Sequence, residues 1–433
     1  MNYYSLNGKA PVTSFEVAVT RGIAPDKGLY FPEKISPLPD SFFENIEEMD
    51  DHEIAFQAIH QFVAGAIPDD ELRAIIKDVL SFDFPIVEIE KNVATLELFH
   101  GPTMAFKDVG ARFMARCLGY FSKQNENKED VTVLVATSGD TGGAVARGFL
   151  NVDGVDVVIL YPSGKVSDIQ EKQLTTLGAN IAALEVDGVF DDCQSMVKQA
   201  FLDESITSER KLTSANSINI ARWLPQMFYF MFAYKQAKKH GKELVFSVPS
   251  GNFGNICAGM VAYKLGMPVK HFVASVNSND IVPEFLKSGK YAPKPSVATI
   301  SNAMDVGDPS NFIRIQQLFD NDFEALSRKL SSYSYSDAET REAMQTVFAE
   351  TGYVADPHGA VGYLGLKNYL KDHPEAYGIF LETAHPVKFL PVVNEVIDKE
   401  IEIPEQIKEV MDKEKVATKI KTYDDLKAYL LNA

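Results

Sequence analysis

Val131-Thr132-Val133-Leu134-Val135-Ala136, running straight into Thr137-Ser138-Gly139-Asp140-Thr141-Gly142-Gly143, is the stretch that decides the fold. Six apolar or β-branched residues in a row read as a strand buried on both faces, as in parallel sheets. The small and hydroxylated residues behind it make a turn, and 144–150 then has helical spacing. Parallel strands need crossover connections, so one such unit predicts others. They follow as a strand over 156–160, a helix over 167–176, a strand over 181–186 and a helix over 191–201. Further on, the pattern predicts one long apolar helix over 220–239, a strand over 243–248, a helix over 256–264 and strands over 270–276 and 378–381.

The fold class expected is α/β, with two parallel-sheet α/β domains and a mainly helical N-terminal domain. The N-terminal domain spans 1–90 and carries an acidic cluster in 44–53. A large α/β domain is built from 91–127 and 215–400, with a small α/β domain inserted over 128–214. Residues 401–433 form a C-terminal helical segment, in which 408–421 reads as solvated surface.

At 433 residues with 45% hydrophobic content, the chain has apolar material for more than one core. A formal charge of -18 argues against a sequence-independent grip on nucleic acid, which needs lysine and arginine on phosphates. An anionic ligand must therefore be met by local basic groups or backbone amides. Cys117, Cys193 and Cys257 lie far apart and suit a reducing cytoplasm, and the scattered histidines give no metal-ligand spacing. The start of the chain lacks a signal-peptide pattern, and the apolar run 227–234 is too short to span a bilayer.

Chemistry concentrates in five places. In His100-Gly101-Pro102-Thr103-Met104-Ala105-Phe106-Lys107-Asp108, one lysine stands behind an apolar approach at the start of a helix. Such surroundings disfavour its charged form and make the amine nucleophilic enough for a Schiff base, although a structural lysine reads the same way in isolation. Pro249-Ser250-Gly251-Asn252-Phe253-Gly254-Asn255 joins a buried strand to a helix, so its N–H groups can converge on a phosphate at the positive helix end. It lacks the dinucleotide and Walker spacings, and its glycines also suit a tight connection without a ligand.

Thr137, Ser138, Gly139, Asp140 and Thr141 form a second anion cup, or a helix cap through Ser138 or Asp140. Two cups imply two anionic groups, such as a cofactor phosphate and a substrate carboxylate. Asn216, Ser217, Asn219 and Arg222 offer amide, hydroxyl and guanidinium donors at the head of the long helix, as a phosphate site or as a cap with a surface arginine. Thr383, in Leu381-Glu382-Thr383-Ala384-His385-Pro386-Val387-Lys388-Phe389, follows a strand and could give a neutral hydroxyl to a ring nitrogen, or simply end that strand.

Taken in order, these motifs resemble those of the threonine synthase family, pyridoxal-phosphate enzymes of fold type II, the tryptophan-synthase-β group. Ser14-Phe15-Glu16-Val17-Ala18-Val19, Gly28-Leu29-Tyr30-Phe31-Pro32 and Ser301-Asn302-Ala303-Met304-Asp305-Val306 also look like that family, so the resemblance covers nearly the whole chain. It implies that Lys107 binds the aldehyde of pyridoxal 5'-phosphate, that Ser250, Gly251, Asn252, Phe253, Gly254 and Asn255 hold the cofactor phosphate, and that Thr383 faces the pyridine nitrogen. Substrate contacts are implied for Thr137, Ser138, Gly139, Asp140 and Thr141 at the carboxylate, and for Asn216, Ser217, Asn219 and Arg222 at the phosphate. The implied reaction turns O-phospho-L-homoserine and water into L-threonine and phosphate by γ-elimination and β-addition, the last step of threonine biosynthesis. The resemblance is compatible with a monomer and leaves the oligomeric state open, while the composition points to a cytoplasmic protein without metal, membrane or nucleic acid. A threonine or serine dehydratase, sharing fold and cofactor but needing no substrate-phosphate site, is the nearest alternative.

Overall fold

The computed structural model describes residues 1–124 and 130–432 and contains three sheets. The first is small and antiparallel, built from β1 (Asn2–Ser5), β2 (Thr13–Ser14) and β3 (Tyr30–Pro32) in the order β2-β1-β3. The buried Tyr3 reaches from β1 to donate its hydroxyl to the Phe62 carbonyl at 2.9 Å, on the Asp51–Val63 helix. The amino-terminal region is mainly helical, as the sequence predicts, and carries this small sheet in addition. Strands of two to four residues are too short for period-two alternation to register.

The large sheet contains β4 (Ile86–Glu90), β5 (Val93–Glu97), β10 (Leu244–Pro249), β11 (His271–Val276), β12 (Leu330–Ser334) and β13 (Tyr377–Glu382). Its order is β12-β11-β10-β13-β5-β4, parallel throughout except for the edge pair β4 and β5. A domain boundary at 90 cuts that antiparallel pair, so 86–90 belong with the large sheet. The small sheet contains β6 (Val131–Ala136), β7 (Val155–Pro162), β8 (Ile181–Val186), β9 (Lys211–Ser214) and β14 (Thr418–Ile420). Its order is β14-β8-β7-β6-β9, all parallel. Both α/β units expected from the sequence are present.

Two segments differ from their sequence reading. The helix expected over 220–239 is broken into Ile220–Trp223, a 3-10 turn at Leu224–Gln226 and Met227–Ala237. Pro225 sits in the turn, lacks an N–H and cannot continue the i to i−4 ladder. The stretch 408–421, expected as solvated surface, is exposed or half-buried except at Ile420, but it also supplies β14, which extends the small sheet beside β8. The Tyr423–Asn432 helix then inserts Leu426 and Leu430, one turn apart, into the core under β6, β7 and β8. Dense charge around a few apolar residues hid that face. Among the described residues no helix is long and apolar enough to cross a membrane.

What matters for a site is which strand ends lie together. In the large sheet Ser247 pairs with Phe380 and Glu97 with Glu382, so the loops leaving β10, β13 and β5 emerge side by side at the carboxyl edge. In the small sheet Leu134 pairs with Ser214, which brings the loops after β6 and β9 together. Ligands in open α/β sheets bind at such edges.

The carboxyl terminus is part of the small lobe's core, so Leu426→Ala should cost about 2–5 kcal/mol, read as a lower urea midpoint. A loss under about 0.5 kcal/mol, normal for a surface position, would show that this helix is peripheral.

Candidate active site

The first of the three adjacent loops leads from β5 to Lys107, the opening residue of the Lys107–Gln124 helix. Its approach is bound to the loop after β13. Ala105 bridges Ala384, Phe106 N–H donates to the Thr383 carbonyl at 2.9 Å, and His385 N–H donates to the Met104 carbonyl at 3.0 Å. Asp108 closes the turn by accepting from the Thr103 N–H at 2.9 Å and its hydroxyl at 2.6 Å. Lys107 and Thr383 are held together by main-chain hydrogen bonds.

Lys107 as a whole residue is half-buried, yet lost hydration still governs its amine. Burial brings the pKa down to about 8; Asp140 opposes this, while the Lys388 and Arg222 charges add to it. Lost hydration is the largest cause, and the two further cations act in the same direction. In a chain of net charge -18, this is a locally basic site.

The second loop follows β10. Ser250 donates its N–H to the Ser275 carbonyl at 2.9 Å and its hydroxyl to the Val248 carbonyl at 2.8 Å. Asn255 donates to the Pro249 carbonyl at 2.8 Å and accepts from Ile256 N–H at 2.9 Å. Asn252 accepts from the hydroxyl of Ser310 at 3.3 Å. These side chains brace the loop, and the N–H groups of residues 251–255 have no partner among the described residues. Phe253 has φ 61 at the head of the Gly254–Lys264 helix. A Cβ on Gly251 would stand 2.7 Å from the Ala303 carbonyl oxygen, so only glycine lets the loop lie against that segment. Unpaired N–H groups at a helix start form a cradle for an anion.

In the small lobe, Thr137 accepts from Gly139 N–H at 3.0 Å and Gly142 N–H at 2.8 Å, so its hydroxyl holds its own loop closed. The sequence assigned that capping alternative to Ser138 or Asp140. Ser138 and Thr141 are instead partly exposed, with hydroxyls not engaged by other described residues. Asp140 is buried against the Lys388 ammonium at 2.7 Å and the Gln170 amide at 3.0 Å. Burial acts upward on its pKa, but Lys388 and Lys107 outweigh it and keep Asp140 ionised, far below the usual carboxylate range. Lys388 also donates to the Thr103 carbonyl at 2.9 Å. Lys388, to which the sequence assigns no role, carries the same cue as Lys107: a lysine inside an apolar motif.

In the third cluster, both amide hydrogens of Asn219 are engaged, to the carbonyls of Val19 at 2.9 Å and Ser214 at 3.2 Å, and its oxygen caps the next helix through Ala221. Asn216 donates to the Ala136 carbonyl at 3.2 Å, linking the ends of β9 and β6. Ser217 accepts from Asn311 at 3.2 Å. Arg222 is buried, donates to the Ala215 carbonyl and leaves its Nε without a partner. It is not the surface arginine of the bland alternative. Sequence reasoning missed Arg314, which is wholly buried without a carboxylate. It donates to the carbonyls of Tyr30 at 2.9 Å and Ile218 at 2.6 Å, and stacks 4.4 Å from Trp223.

A lysine amine, a threonine hydroxyl and an N–H cradle therefore stand at three neighbouring strand ends. With strands about 4.8 Å apart, the outer two are separated by roughly 10 Å. That donor set fits an aldehyde-bearing aromatic phosphate: an amine for the aldehyde, a cradle for the phosphate and a neutral hydroxyl for a ring heteroatom.

The Asp140–Lys388 pair joins the two lobes beside Lys107. Lys388→Met should destabilise the protein by about 3–5 kcal/mol by leaving a buried charge alone, and should slow acylation of Lys107 near pH 8 by raising its pKa. Adding Asp140→Asn should recover most of both, measured by urea unfolding and peptide-resolved acylation rates. A double variant no better than the single one contradicts this role.

Comparison with known proteins agrees with this geometry. The profile described as pyridoxal-phosphate dependent enzyme matches residues 85–379, threonine synthase N terminus matches 2–80, and threonine synthase, C-terminal matches 359–430. A threonine synthase of Buchnera aphidicola subsp. Baizongia pistaciae is 45% identical over 411 residues, covering 94% of each chain. The crystal structure of threonine synthase from Escherichia coli superposes with a TM-score of 0.93 at 40% identity, covering 100% of both chains. That of PLP-bound threonine synthase from Brucella melitensis gives 0.92 at 32% identity, covering 99% of this chain and 98% of the other. With a fold-type II architecture, a lysine site suited to the cofactor and full-length similarity of this order, the chain belongs to the threonine synthase family of pyridoxal-phosphate-dependent enzymes.

Proposed function

We propose that the protein converts O-phospho-L-homoserine and water into L-threonine and inorganic phosphate, with Lys107 as the residue that bonds the aldehyde of pyridoxal 5'-phosphate. The observation that carries this reading is an amine whose pKa is brought down to about 8, fixed by hydrogen bonds to the neighbouring Thr383 loop. Such an amine is partly unprotonated near neutral pH, as both attack on an aldehyde and later proton transfer require.

The backbone N–H groups of Gly251, Asn252, Phe253, Gly254 and Asn255 suit the cofactor phosphate, with Ser250 bracing their loop. Thr383 offers its hydroxyl to the ring nitrogen without adding charge. When bound, the cofactor supplies a sink for the electron pair left at the substrate's Cα. Lys107, once free, takes the proton from Cα and then one from Cβ, and returns one at Cγ and the other at Cα. Ser138, Gly139 and Thr141 suit the substrate carboxylate. Arg222, whose Nε is unpartnered, suits the leaving phosphate, with Asn216 and Ser217 near it. Thr137, Asp140 and Asn219 shape these loops through bonds already made within the protein. Phosphate leaves from Cγ and water enters at Cβ. Three free, buried cysteines support a reducing, cytoplasmic setting, and we take the small-molecule reaction to be carried out by a monomer.

Incubation with O-phospho-L-homoserine should yield threonine and phosphate in equal amounts, and Lys107→Ala should abolish both together with the visible absorbance of lysine-bound cofactor. An α-keto acid in place of threonine would indicate a dehydratase and overturn the assignment. In protein stripped of cofactor, the rate of pyridoxal-phosphate capture should rise with pH through a midpoint of about 8 as Lys107 loses its proton. A midpoint near the ordinary lysine value of about 10.4 contradicts the low pKa.

A further inference from the structure

Behind Thr383 lies a group of titratable side chains that the reaction does not use. Glu382, the last residue of β13, and Asp356, which caps the Pro357–Leu370 helix, are both wholly buried. Asp356 N–H donates to Glu382 Oε1. Gly359 makes room for the other oxygen, since a Cβ there would fall 1.4 Å from Glu382 Oε2. Asp356 Oδ1 accepts from both the backbone N–H and Nδ1 of His358, the latter at 2.7 Å. One oxygen on each acid, Asp356 Oδ2 and Glu382 Oε2, has no partner.

The histidine settles the charge. His358 Nε2 accepts the N–H of Ala303 at 3.3 Å, so it carries no proton and the ring, protonated only at Nδ1, is neutral. No lysine or arginine pairs with either acid among the described residues. The surrounding groups supply no cation either. Glu97 on β5 adds negative charge and is itself bound by the Tyr353 hydroxyl at 3.0 Å and by His100 at 2.7 Å. His385, half-buried nearby, is pushed down to about 4 by lost hydration and is neutral. The Lys388 charge is taken by Asp140. Two adjacent carboxylates with no cation cannot both ionise in such a place.

We propose that Glu382 is held as a neutral carboxylic acid that donates its proton to Asp356, and that this pair is a positioning device for the cofactor pocket. In this arrangement one proton serves the two oxygens left without partners, and the remaining charge rests on Asp356 at a helix start, where N–H groups favour it. The chain of bonds runs from the strand end bearing Thr383, through Glu382, Asp356 and His358, to Ala303, whose carbonyl lies against Gly251 of the N–H cradle. It ties the two ends of the pocket together from behind. Burial, with the Asp356 charge adding to it, pushes Glu382 well above the usual carboxylate range, in line with the geometry.

A carboxylic acid is mimicked by an amide, so Glu382→Gln should be tolerated where Glu382→Val is not. Infrared spectra of protein labelled with 13C-glutamate should show a protonated-carboxyl band at pH 8, absent from Glu382→Gln. A raised native pKa stabilises the protein fully below the unfolded value of about 4.3 and loses that contribution as pH rises through the native one. The melting temperature of Glu382→Gln relative to the parent should therefore climb from pH 5 to pH 9. No such band at pH 8, or a relative melting temperature that falls with pH, overturns the neutral acid.

The second readout rests on the cofactor placement proposed above, whereas the infrared and melting measurements do not. Glu382→Val leaves Asp356 unpaired and should release bound pyridoxal phosphate about tenfold faster than the parent, with Glu382→Gln within about threefold, the size of effect expected from one buried charged hydrogen bond. Equal release from all three overturns the positioning role even if the proton is found on Glu382.

Discussion

The antiparallel bridge between Ala105 and Ala384, with its two flanking hydrogen bonds, is the contact on which the rest of the site depends. It joins the loop leaving β5 to the loop leaving β13, two strands already paired in register along the large sheet. Main-chain bonds of this kind set geometry more rigidly than side-chain contacts, since they leave only the lysine's own rotamers free. The glycine loop after β10 is brought to the same edge by the neighbouring strand. The fixed spacing of parallel strands thus becomes the spacing of an amine, a hydroxyl and an anion cradle.

The second constraint is electrostatic. The chain is strongly acidic, yet Lys388 and Arg222 both lie close enough to act on Lys107, with Asp140 as the counter-charge paired to Lys388. Asp140 starts a helix of the small lobe and Lys388 follows β13 of the large one, so their ion pair spans the two lobes. A buried pair contributes little net stability compared with apolar packing. Its value here lies in placing the Lys388 charge where it adds to burial in lowering the pKa of Lys107 to about 8. The acid pair behind Thr383 uses the opposite device, keeping a carboxyl group neutral where a second anion would be costly.

Much of this was legible in the sequence because it rests on short-range pattern. β6 appears at the predicted residues, since six apolar residues ending in Thr-Ser-Gly have few other readings. Lys107 stood out through its apolar neighbours alone. What stayed hidden depends on long-range pairing. Nothing near Asp140 announces Lys388, and Asp140 in isolation looks like a helix cap or a ligand contact. Glu382, Asp356 and His358 come from a strand end and a separate helix start, and Gly359 reveals its purpose only once Glu382 occupies the space beside it. Thr137 and Asn219 resembled ligand contacts because a hydroxyl or amide engaged by its own backbone has the same composition as a free one. The sheet role of 418–420 was lost among charges for a related reason: three residues cannot display a period.

Two lysines in one pocket make the central claim open to a direct measurement. Reduction of the cofactor-loaded protein with borohydride, followed by peptide mapping by mass spectrometry, locates the amine that carries pyridoxal phosphate. The account predicts the reduced cofactor on Lys107, with Lys388 unmodified; a label on Lys388, or spread over surface lysines, would contradict it.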